Sequence, residues 1–357
     1  MSVAVVTGSG GLVGSAAVRR LAGEGLEVVG IDNDMRAVFF GPEGSTGATV
    51  RRLEAECPGY RHLALDIRDG AAIRRLFAEL GRDLVHVVHA AAQPAHDWAA
   101  REPETDFAVN AVGTLNLLAA TLRSAPEAGF VFLSTNKVYG DAPNALPLLE
   151  AETRYVLDPA HPWAEAGIDE TMGVDQVLHS LFGASKLAAD VLVQEYGRYF
   201  GLKTTCLRAG CLTGADHAGV ELHGFLAYLM KCTTIGRPYR VFGHGGKQVR
   251  DNLDVRDLAE AIWRALGGPA RGAVYNIGGG TGANCSLLEA IELAQEIAGR
   301  RLEWTYLEEA RVGDHRWWIS DTGRFAADHG GWRPARSVRT ILADIHAGGA
   351  AGWRAQG

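Results

Sequence analysis

The chain has 357 residues, 47% hydrophobic and 22% charged, a composition typical of a globular protein with one large domain or two closely associated ones. Its formal net charge of −7 gives no broad positive field, so we expect no nucleic-acid partner and no anionic membrane surface. No apolar run approaches the roughly 18 residues of a membrane span. The first ten residues lack the basic region of a secretion signal, and five scattered cysteines without a CxxC pair favour a reducing cytoplasm.

Short apolar runs alternate with helical patterns through the first half of the chain. We predict strands at 3–6, 28–31, 62–65, 84–88 and 130–133, and helices at about 12–25, 47–57, 70–80 and 104–124. Such alternation indicates βαβ units and a buried, doubly wound parallel sheet.

The second half is less regular. Helices at about 180–200 and 254–267 and strands at 204–207 and 273–276 continue the sheet pattern, whereas residues 211–249 are glycine-rich and irregular. We therefore predict an α/β protein of two interleaved parts. A Rossmann-type sheet takes residues 1–210 and 250–277, with 141–178 as an excursion toward a smaller α/β substrate-binding cap, and the cap takes residues 211–249 and 278–357.

A glycine-rich turn joins the first strand to the first helix. Gly8, Gly11 and Gly14 have the spacing G-x-x-G-x-x-G, which permits a tight turn and lets the backbone approach a pyrophosphate at a helix N-terminus. Asp32 ends the second strand 18 residues after Gly14, where a carboxylate binds the ribose hydroxyls of a dinucleotide. Because this carboxylate repels a 2′-phosphate, the predicted cofactor is NAD rather than NADP.

Three further stretches carry a resemblance to a known family: NAVGTLNLL at 110–118, STNKVYGD at 134–141 and GKQVRD at 246–251. With the glycine-rich turn, they make the chain resemble the extended short-chain dehydrogenase/reductases. Within that class it resembles the nucleotide-sugar epimerase/dehydratase group, and there the CDP-tyvelose (CDP-paratose) 2-epimerases. The resemblance spans nearly the whole chain and implies a nucleotide-sugar or nucleoside substrate and a homodimer formed through two long helices, here near 104–124 and 180–200.

The resemblance also implies roles for individual residues. Thr135 would bind the sugar hydroxyl that is oxidised, and Lys186 would hold the nicotinamide ribose. Asn136 and Lys137 take the positions of an acid and a base in related 4,6-dehydratases. The expected cofactor contacts are Gly8, Gly10, Gly11, Leu12, Val13, Gly14, Asp32, Asn33, Asp66, Ile67, Ala90, Ala91, Ala92, Asn110 and Lys186. The expected substrate contacts are Gln93, His96, Cys211, Arg250, Arg311 and Asp314.

Phe182, in SLFGASK at 180–186, departs from the family pattern. The family has a tyrosine at this position that takes the hydroxyl proton, and a phenylalanine has no ionisable atom. Three interpretations are open: another group supplies the base, the substrate or a water carries the proton, or the redox chemistry is lost. Candidate replacements are His96, after the fourth strand, together with Cys211, Lys137 and Lys186 itself.

Two other clusters are interpreted conservatively. His217, Glu221 and His223 lack the H-E-x-x-H spacing and a fourth ligand, so we predict no metal site. Trp317 and Trp318 are assigned to the core of the cap rather than to a stacking platform.

These observations predict an NAD-dependent enzyme that epimerises a nucleotide-linked sugar by transient oxidation. The first alternative is a sugar or nucleoside dehydratase that uses the same internal redox cycle. The second is a non-catalytic NAD-binding sensor.

Overall fold

The computed structural model describes residues 2–217, 219–221, 224–268, 270–310 and 313–354. The chain divides into two compact units, each assembled from separate stretches. The first unit contains 1–138, 180–208 and 258–275, and the second contains 139–179, 209–257 and 276–357. Residues 250–257, which the sequence-based boundaries put with the first part, group with the second unit.

Secondary structure alternates as the apolar pattern predicts. The described helices are α1 Leu12–Gly23, α2 Met35–Phe40, α3 Gly47–Glu56, α4 Gly70–Leu80, α5 His96–Arg101, α6 Pro103–Phe107, α7 Gly113–Ser124, α8 Leu181–Phe200, α9 Phe225–Ile235, α10 Val255–Leu266, α11 Leu287–Ala298, α12 Gly323–Asp328 and α13 Val338–Arg354. The described strands are β1 Val3–Thr7, β2 Glu27–Ile31, β3 Tyr60–Leu63, β4 Leu84–His89, β5 Gly129–Thr135, β6 Leu148–Glu150, β7 Tyr155–Leu157, β8 Lys203–Ala209, β9 Cys211–Thr213, β10 Tyr239–Phe242, β11 Val249–Asp254, β12 Ala273–Ile277, β13 Asn284–Ser286, β14 Trp304–Leu307 and β15 Trp317–Trp318.

A seven-stranded sheet in the order β12-β8-β5-β4-β1-β2-β3 forms the centre of the first unit. The pairs β1–β2, β2–β3, β1–β4 and β4–β5 are parallel. Strand order reverses between β1 and β4, and ligands of doubly wound sheets bind outside the carboxyl ends of the strands at such a point. The predicted doubly wound parallel fold is thereby confirmed.

The second unit is built on three small sheets. β9, β11, β13 and β15 form a four-stranded sheet, β10 pairs with β14, and β6 pairs with β7 in an antiparallel hairpin. A separate apolar core joins α9, α11 and α13. Trp318 is fully buried and stacks on Tyr139 with ring centroids 5.4 Å apart, as expected for a core residue.

Two element predictions need correction. β3 begins at Tyr60, not at residue 62, because Tyr60 pairs with Val28 and its hydroxyl contacts Ser9 Oγ at 3.0 Å. The stretch 211–249 is not wholly irregular, since it contains the 11-residue helix α9. Seven of those residues are buried, so the helix has no polar stripe to reveal a helical period.

Candidate active site

The turn between β1 and α1 has glycine where no side chain fits. Gly8 has a φ of +67°, and a Cβ added there would stand 2.8 Å from the amide nitrogen of Ala91. A Cβ on Gly14 would stand 2.0 Å from the carbonyl oxygen of Gly8. Gly11, the N-cap of α1, provides no side-chain cap, so the first amides of the helix face a site suited to a phosphate. Leu12 and Val13 form the first turn of this helix.

Asp32 points its carboxylate at the same turn. Its Oδ2 accepts the Gly10 amide at 3.0 Å, while Oδ1 accepts the Asp34 amide at 2.8 Å and the Thr46 hydroxyl at 3.0 Å. The carboxylate is thus fixed beside the glycine-rich turn, where a ribose diol would displace or join these donors.

Asp66 is one of the residues that the family resemblance expects to contact the cofactor. Burial raises the pKa of this carboxyl group, but hydrogen bonds from Arg68 and from Asn33 Nδ2, at 3.1 Å, outweigh it and leave the pKa below its usual value. The following residue, Ile67, is buried against Gly113, where a Cβ would stand 2.6 Å from Ile67 Cδ1. Asn33, Asp66 and Ile67 therefore lie near one another, as a nucleoside site requires.

These features fit a dinucleotide. The glycine-rich turn has no room for a Cβ at Gly8 or Gly14, α1 presents its positive end, and an acidic side chain follows β2. The residues that would hold NAD are those of the turn, together with Asp32, Asn33, Asp66 and Ile67.

A directional hydrogen-bond chain spans the reversal point. Ala91 N donates to Thr7 Oγ1 at 3.2 Å, and Thr7 contacts His89 Nδ1 at 2.7 Å. His89 Nε2 contacts Thr114 Oγ1 at 2.8 Å, and that hydroxyl donates to the carbonyl oxygen of Asn110 at 2.6 Å. Because the one proton of Thr114 goes to the Asn110 carbonyl, His89 Nε2 carries a ring proton and donates it to Thr114. Burial lowers the pKa of His89 well below its usual value, which favours the neutral ring.

Asn110 stands in a π-helical turn between α6 and α7, a local distortion found often at functional sites. Its Oδ1 accepts the Gln93 amide at 2.9 Å, and its Nδ2 donates to Ser185 Oγ on α8 at 3.0 Å and to Asp106 Oδ1 at 3.1 Å. Burial raises the pKa of Asp106. Asn110 thus braces α8 through its hydrogen bond to Ser185.

The predicted contact of Gln93 with substrate is at odds with its position. Its side chain is fully buried, and its Nε2 donates to Asp106 Oδ1 at 2.7 Å and to the Ala95 carbonyl at 2.9 Å. Its Oε1 accepts the Ala95 amide at 2.6 Å. Gln93 instead fixes the start of α5, because the amide satisfies buried polar groups that would otherwise lack partners.

Lys186 is buried at the carboxyl end of β5. Its Nζ donates to the Leu133 carbonyl at 2.7 Å and lies 4.1 Å above the ring of Phe132. Burial lowers the pKa of Lys186 to about 8, against the opposing effect of Asp190. Thr135, the last residue of β5, is half-buried and accepts the Lys137 amide at 3.2 Å.

Asp190 was not predicted as a site residue. It is fully buried one helical turn after Lys186, and it pairs with Arg208 at 2.9 Å and accepts Ser134 Oγ at 2.5 Å. The spacing of four residues from Lys186 on a predicted helix is the signal that could have found it.

The N-terminus of α8 carries the SLFGASK segment. Ser180 caps the helix by accepting the Gly183 amide at 3.1 Å, and a Cβ on Gly183 would stand 2.8 Å from the Lys137 carbonyl oxygen. The Phe182 ring lies edge-on to the His96 ring, with centroids 5.0 Å apart. His96 Nδ1 is 2.7 Å from Ser180 Oγ.

Three of the predicted substrate residues, Arg250, Asp314 and Cys211, are described residues of the second unit. Arg250 is largely buried, bonds the His315 carbonyl and pairs with Asp314 at 3.4 Å. Cys211, at the start of β9, pairs in register with Asn252 of β11. Arg311 lies outside the described residues.

A buried carboxylate in the same unit was not singled out from the sequence. Asp251 Oδ2 accepts the Ser320 amide at 3.0 Å, and burial raises the pKa of Asp251 to about 6.

No group of three or more metal-ligating side chains is found among the described residues. Of the cluster considered for zinc, His223 lies outside them, and Glu221 pairs with Arg240. In the described part of the chain, no helix has the length and apolar character needed to cross a bilayer.

Comparison with known families places the chain. Residues 4–278 match the model of the NAD dependent epimerase/dehydratase family. The chain belongs to this family. Its cofactor is NAD, and the protein is an enzyme of the epimerase/dehydratase kind, as the motifs predicted.

The chain is similar to characterised members of the family over nearly its full length. It is 30% identical over 346 residues to the CDP-paratose 2-epimerase of Salmonella typhi, with 94% of this chain and 95% of the relative covered. It is 28% identical to the dTDP-glucose 4,6-dehydratase of Salmonella typhimurium, with 94% and 89% covered. The UDP-glucose 4-epimerase of Thermus thermophilus, solved in complex with NAD, superposes with a TM-score of 0.75 at 27% identity, and 99% of each chain is covered.

Proposed function

We propose that the enzyme epimerises a nucleotide-linked sugar by an internal redox cycle. A sugar hydroxyl is oxidised, the neighbouring C–H becomes acidic and exchanges its proton, and the ketone is reduced again. The relationship to a CDP-paratose 2-epimerase over 94% of the chain supports epimerisation, and the STNKVYGD segment points the same way.

The observation that carries this proposal is the buried Lys186 at the end of β5. A lysine held at 3% exposure, with Nζ on the Leu133 carbonyl, costs stability and needs a functional reason. We propose that it positions the nicotinamide ribose, while Thr135 binds the hydroxyl to be oxidised. Bound NAD supplies hydride abstraction and return.

In the second unit, we propose that Arg250 binds the phosphates of the nucleotide. Its buried guanidinium already makes charge-assisted contacts with Asp314 and with the His315 carbonyl, and a phosphate suits the same fork of donors. Arg311 stays a sequence-based prediction for the same subsite, and Cys211 one for the sugar subsite.

Dehydration of the sugar is the second candidate. The 28% identity to a dTDP-glucose 4,6-dehydratase favours it, and the chain has Asn136 and Lys137 where related dehydratases have their acid and base. Both reactions need the same oxidation step and the same loss of a proton from the carbon beside the ketone. They differ in whether that proton returns or the hydroxyl on the next carbon is expelled as water.

The first experiment measures nicotinamide dinucleotide released from denatured enzyme, and then solvent deuterium incorporated into CDP-paratose and UDP-glucose. We expect nearly one retained NAD per chain and deuterium at one carbon. Loss of water without recovery of the original mass would favour dehydration. An enzyme that binds NAD weakly and exchanges no proton would overturn the proposal in favour of a sensor.

We also propose that the enzyme is a cytoplasmic homodimer. The segment from α6 to α8 of the first unit exposes large apolar side chains whose burial in a dimer interface would be favourable. Each is 38% to 50% exposed: Phe107, Val112, Leu115, Leu181 and Val191. The five cysteines are thiols, as a reducing compartment favours.

A further inference from the structure

Oxidation of an alcohol needs an acceptor for the hydroxyl proton, and Phe182 cannot be that acceptor. The side chains that surround Phe182 at the N-terminus of α8 therefore decide where the proton goes. His96 contacts both the Phe182 ring, at 5.0 Å between centroids, and the hydroxyl of Ser180, at 2.7 Å. A hydroxyl and an imidazole at this distance form a hydrogen bond short enough for proton transfer.

The helix cap leaves the hydroxyl proton of Ser180 available to His96. Ser180 Oγ accepts the Gly183 amide at 3.1 Å and has one proton of its own to donate to His96 Nδ1, 2.7 Å away. Nδ1 accepts this proton in the neutral tautomer of the ring that is protonated on Nε2. In that tautomer the pair has the polarity needed to move a proton from a hydroxyl to the imidazole.

The position of His96 is fixed by a built support. The residue before it, Ala95, exchanges hydrogen bonds with the Gln93 side chain at 2.6 and 2.9 Å. Two residues after His96, Trp98 packs against Phe39 with ring centroids 4.6 Å apart. Both His96 and Ser180 are half-buried, so they are held in place without being sealed from a ligand.

We infer that His96 and Ser180 together replace the missing tyrosine as the proton acceptor, an inference that rests on the proposed redox cycle. As the C–H hydride passes to NAD, the substrate O–H bond breaks and its proton goes to Ser180 Oγ. The Ser180 proton moves to His96 Nδ1, which becomes an imidazolium, and the substrate carbon gains its carbonyl bond. Reduction of the ketone returns the proton along the same route.

The other candidate bases have less support in the described contacts. Lys186 Nζ is engaged with the Leu133 carbonyl, and a neutral Lys186 would lose the charge that positions the cofactor. Lys137 meets α8 through its backbone carbonyl, which lies against Gly183.

Histidine ring NMR on the NAD-loaded enzyme tests the pair without any substrate. We expect the His96 signal to show a neutral ring protonated at Nε2, with Nδ1 as a hydrogen-bond acceptor. Ser180→Ala should remove the Nδ1 hydrogen bond. A ring protonated at Nδ1, or a signal that Ser180→Ala leaves unchanged, would overturn the relay.

Single-turnover formation of NADH with CDP-paratose and UDP-glucose tests the role in the reaction. His96→Gln should slow it about 100-fold or more, the usual contribution of a general base. Ser180→Asn keeps a residue that caps helices well but cannot pass a proton, so it should slow the step by at least about tenfold. Adding Phe182→Tyr to His96→Gln should recover at least about tenfold, because the tyrosine restores an acceptor at the same place.

Rescue by a residue other than histidine is a result that a merely structural role for His96 would not give. Thermal unfolding and NAD content identify variants that fail to fold. If His96→Gln fails to fold, the rate of the Ser180→Asn variant decides whether the pair accepts the proton. An active wild type whose rate survives both substitutions overturns the acceptor pair alone. A wild type that reacts with neither nucleotide sugar overturns the proposed function and the acceptor role with it.

Discussion

Replacing Lys186 by methionine is expected to stabilise the fold while it abolishes the reaction. The lysine is 3% exposed and ionised at neutral pH, and its main partner is the neutral Leu133 carbonyl, at 2.7 Å. A methionine of similar length fills the same space without a charge to desolvate. Asp190 keeps its partners, because Arg208 and Ser134 both bind its carboxylate.

The magnitude follows from the pKa of Lys186. A pKa of about 8 in place of 10.5 corresponds to a cost of about 3 kcal/mol at neutral pH, at about 1.4 kcal/mol per pKa unit. The lost hydrogen bond to Leu133 and the lost contact with the Phe132 ring offset about 1 to 2 kcal/mol of this. We expect the free energy of unfolding to rise by about 1 to 2 kcal/mol at neutral pH.

The sign of the pH dependence is also fixed. Because folding depresses the pKa, the ionised lysine costs most below the folded value of about 8, and the cost fades as pH rises toward 10.5. The advantage of the methionine variant should therefore shrink across this window.

Urea unfolding of NAD-free protein at several pH values measures the difference. Lys203→Met, on a lysine whose side chain is 35% exposed beside Glu127, is the control, and should change stability by less than about 1 kcal/mol. A Lys186→Met variant that is less stable than wild type at neutral pH, or whose advantage does not vary with pH, would refute the reasoning.

Four further substitutions have defined outcomes. Gly183→Ala should lower the thermal midpoint by the equivalent of about 1 to 3 kcal/mol, because its Cβ would stand 2.8 Å from the Lys137 carbonyl, and an unchanged midpoint would contradict this. Asn110→Ala leaves buried partners unsatisfied and should cost about 2 to 4 kcal/mol in urea unfolding, so a neutral result would remove its bracing role. Leu115→Glu should yield monomers in sedimentation analysis if the apolar helix face is the dimer interface, and an intact dimer would place that interface elsewhere. Asp32→Ala should weaken NAD binding about tenfold or more by calorimetry, and wild-type affinity would deny the ribose contact.

Much of the nucleotide-binding half could be predicted because its signals are local. Gly8, Gly14 and Asp32 can be recognised from their spacing after predicted strands. The conformation of the glycine-rich turn follows from backbone sterics within one βαβ unit. The parallel sheet follows from the alternation of apolar runs with helices.

The network around α8 could not be predicted, because its partners are distant in sequence. Ser180 meets His96 across 84 residues, and Asn110 meets Ser185 across 75. Sequence placed Gln93 at the right end of β4 but could not say which way its side chain turns. Burial decides that direction, since Gln93 satisfies the backbone polar groups of Ala95.

The first unit is assembled from three separate stretches of the chain, and this order affects how the protein folds while it is being synthesised. The interior strand β1 pairs with β4, and this pairing brings together Thr7 and His89, which are 82 residues apart in the sequence. The edge strand β12 begins only at Ala273, after the first two stretches of the second unit, 139–179 and 209–257, have been synthesised. Until β12 is synthesised, the backbone hydrogen-bonding groups on the β12 side of β8 have no neighbouring strand. A chain truncated before Ala273 would keep this edge exposed to pairing with other chains.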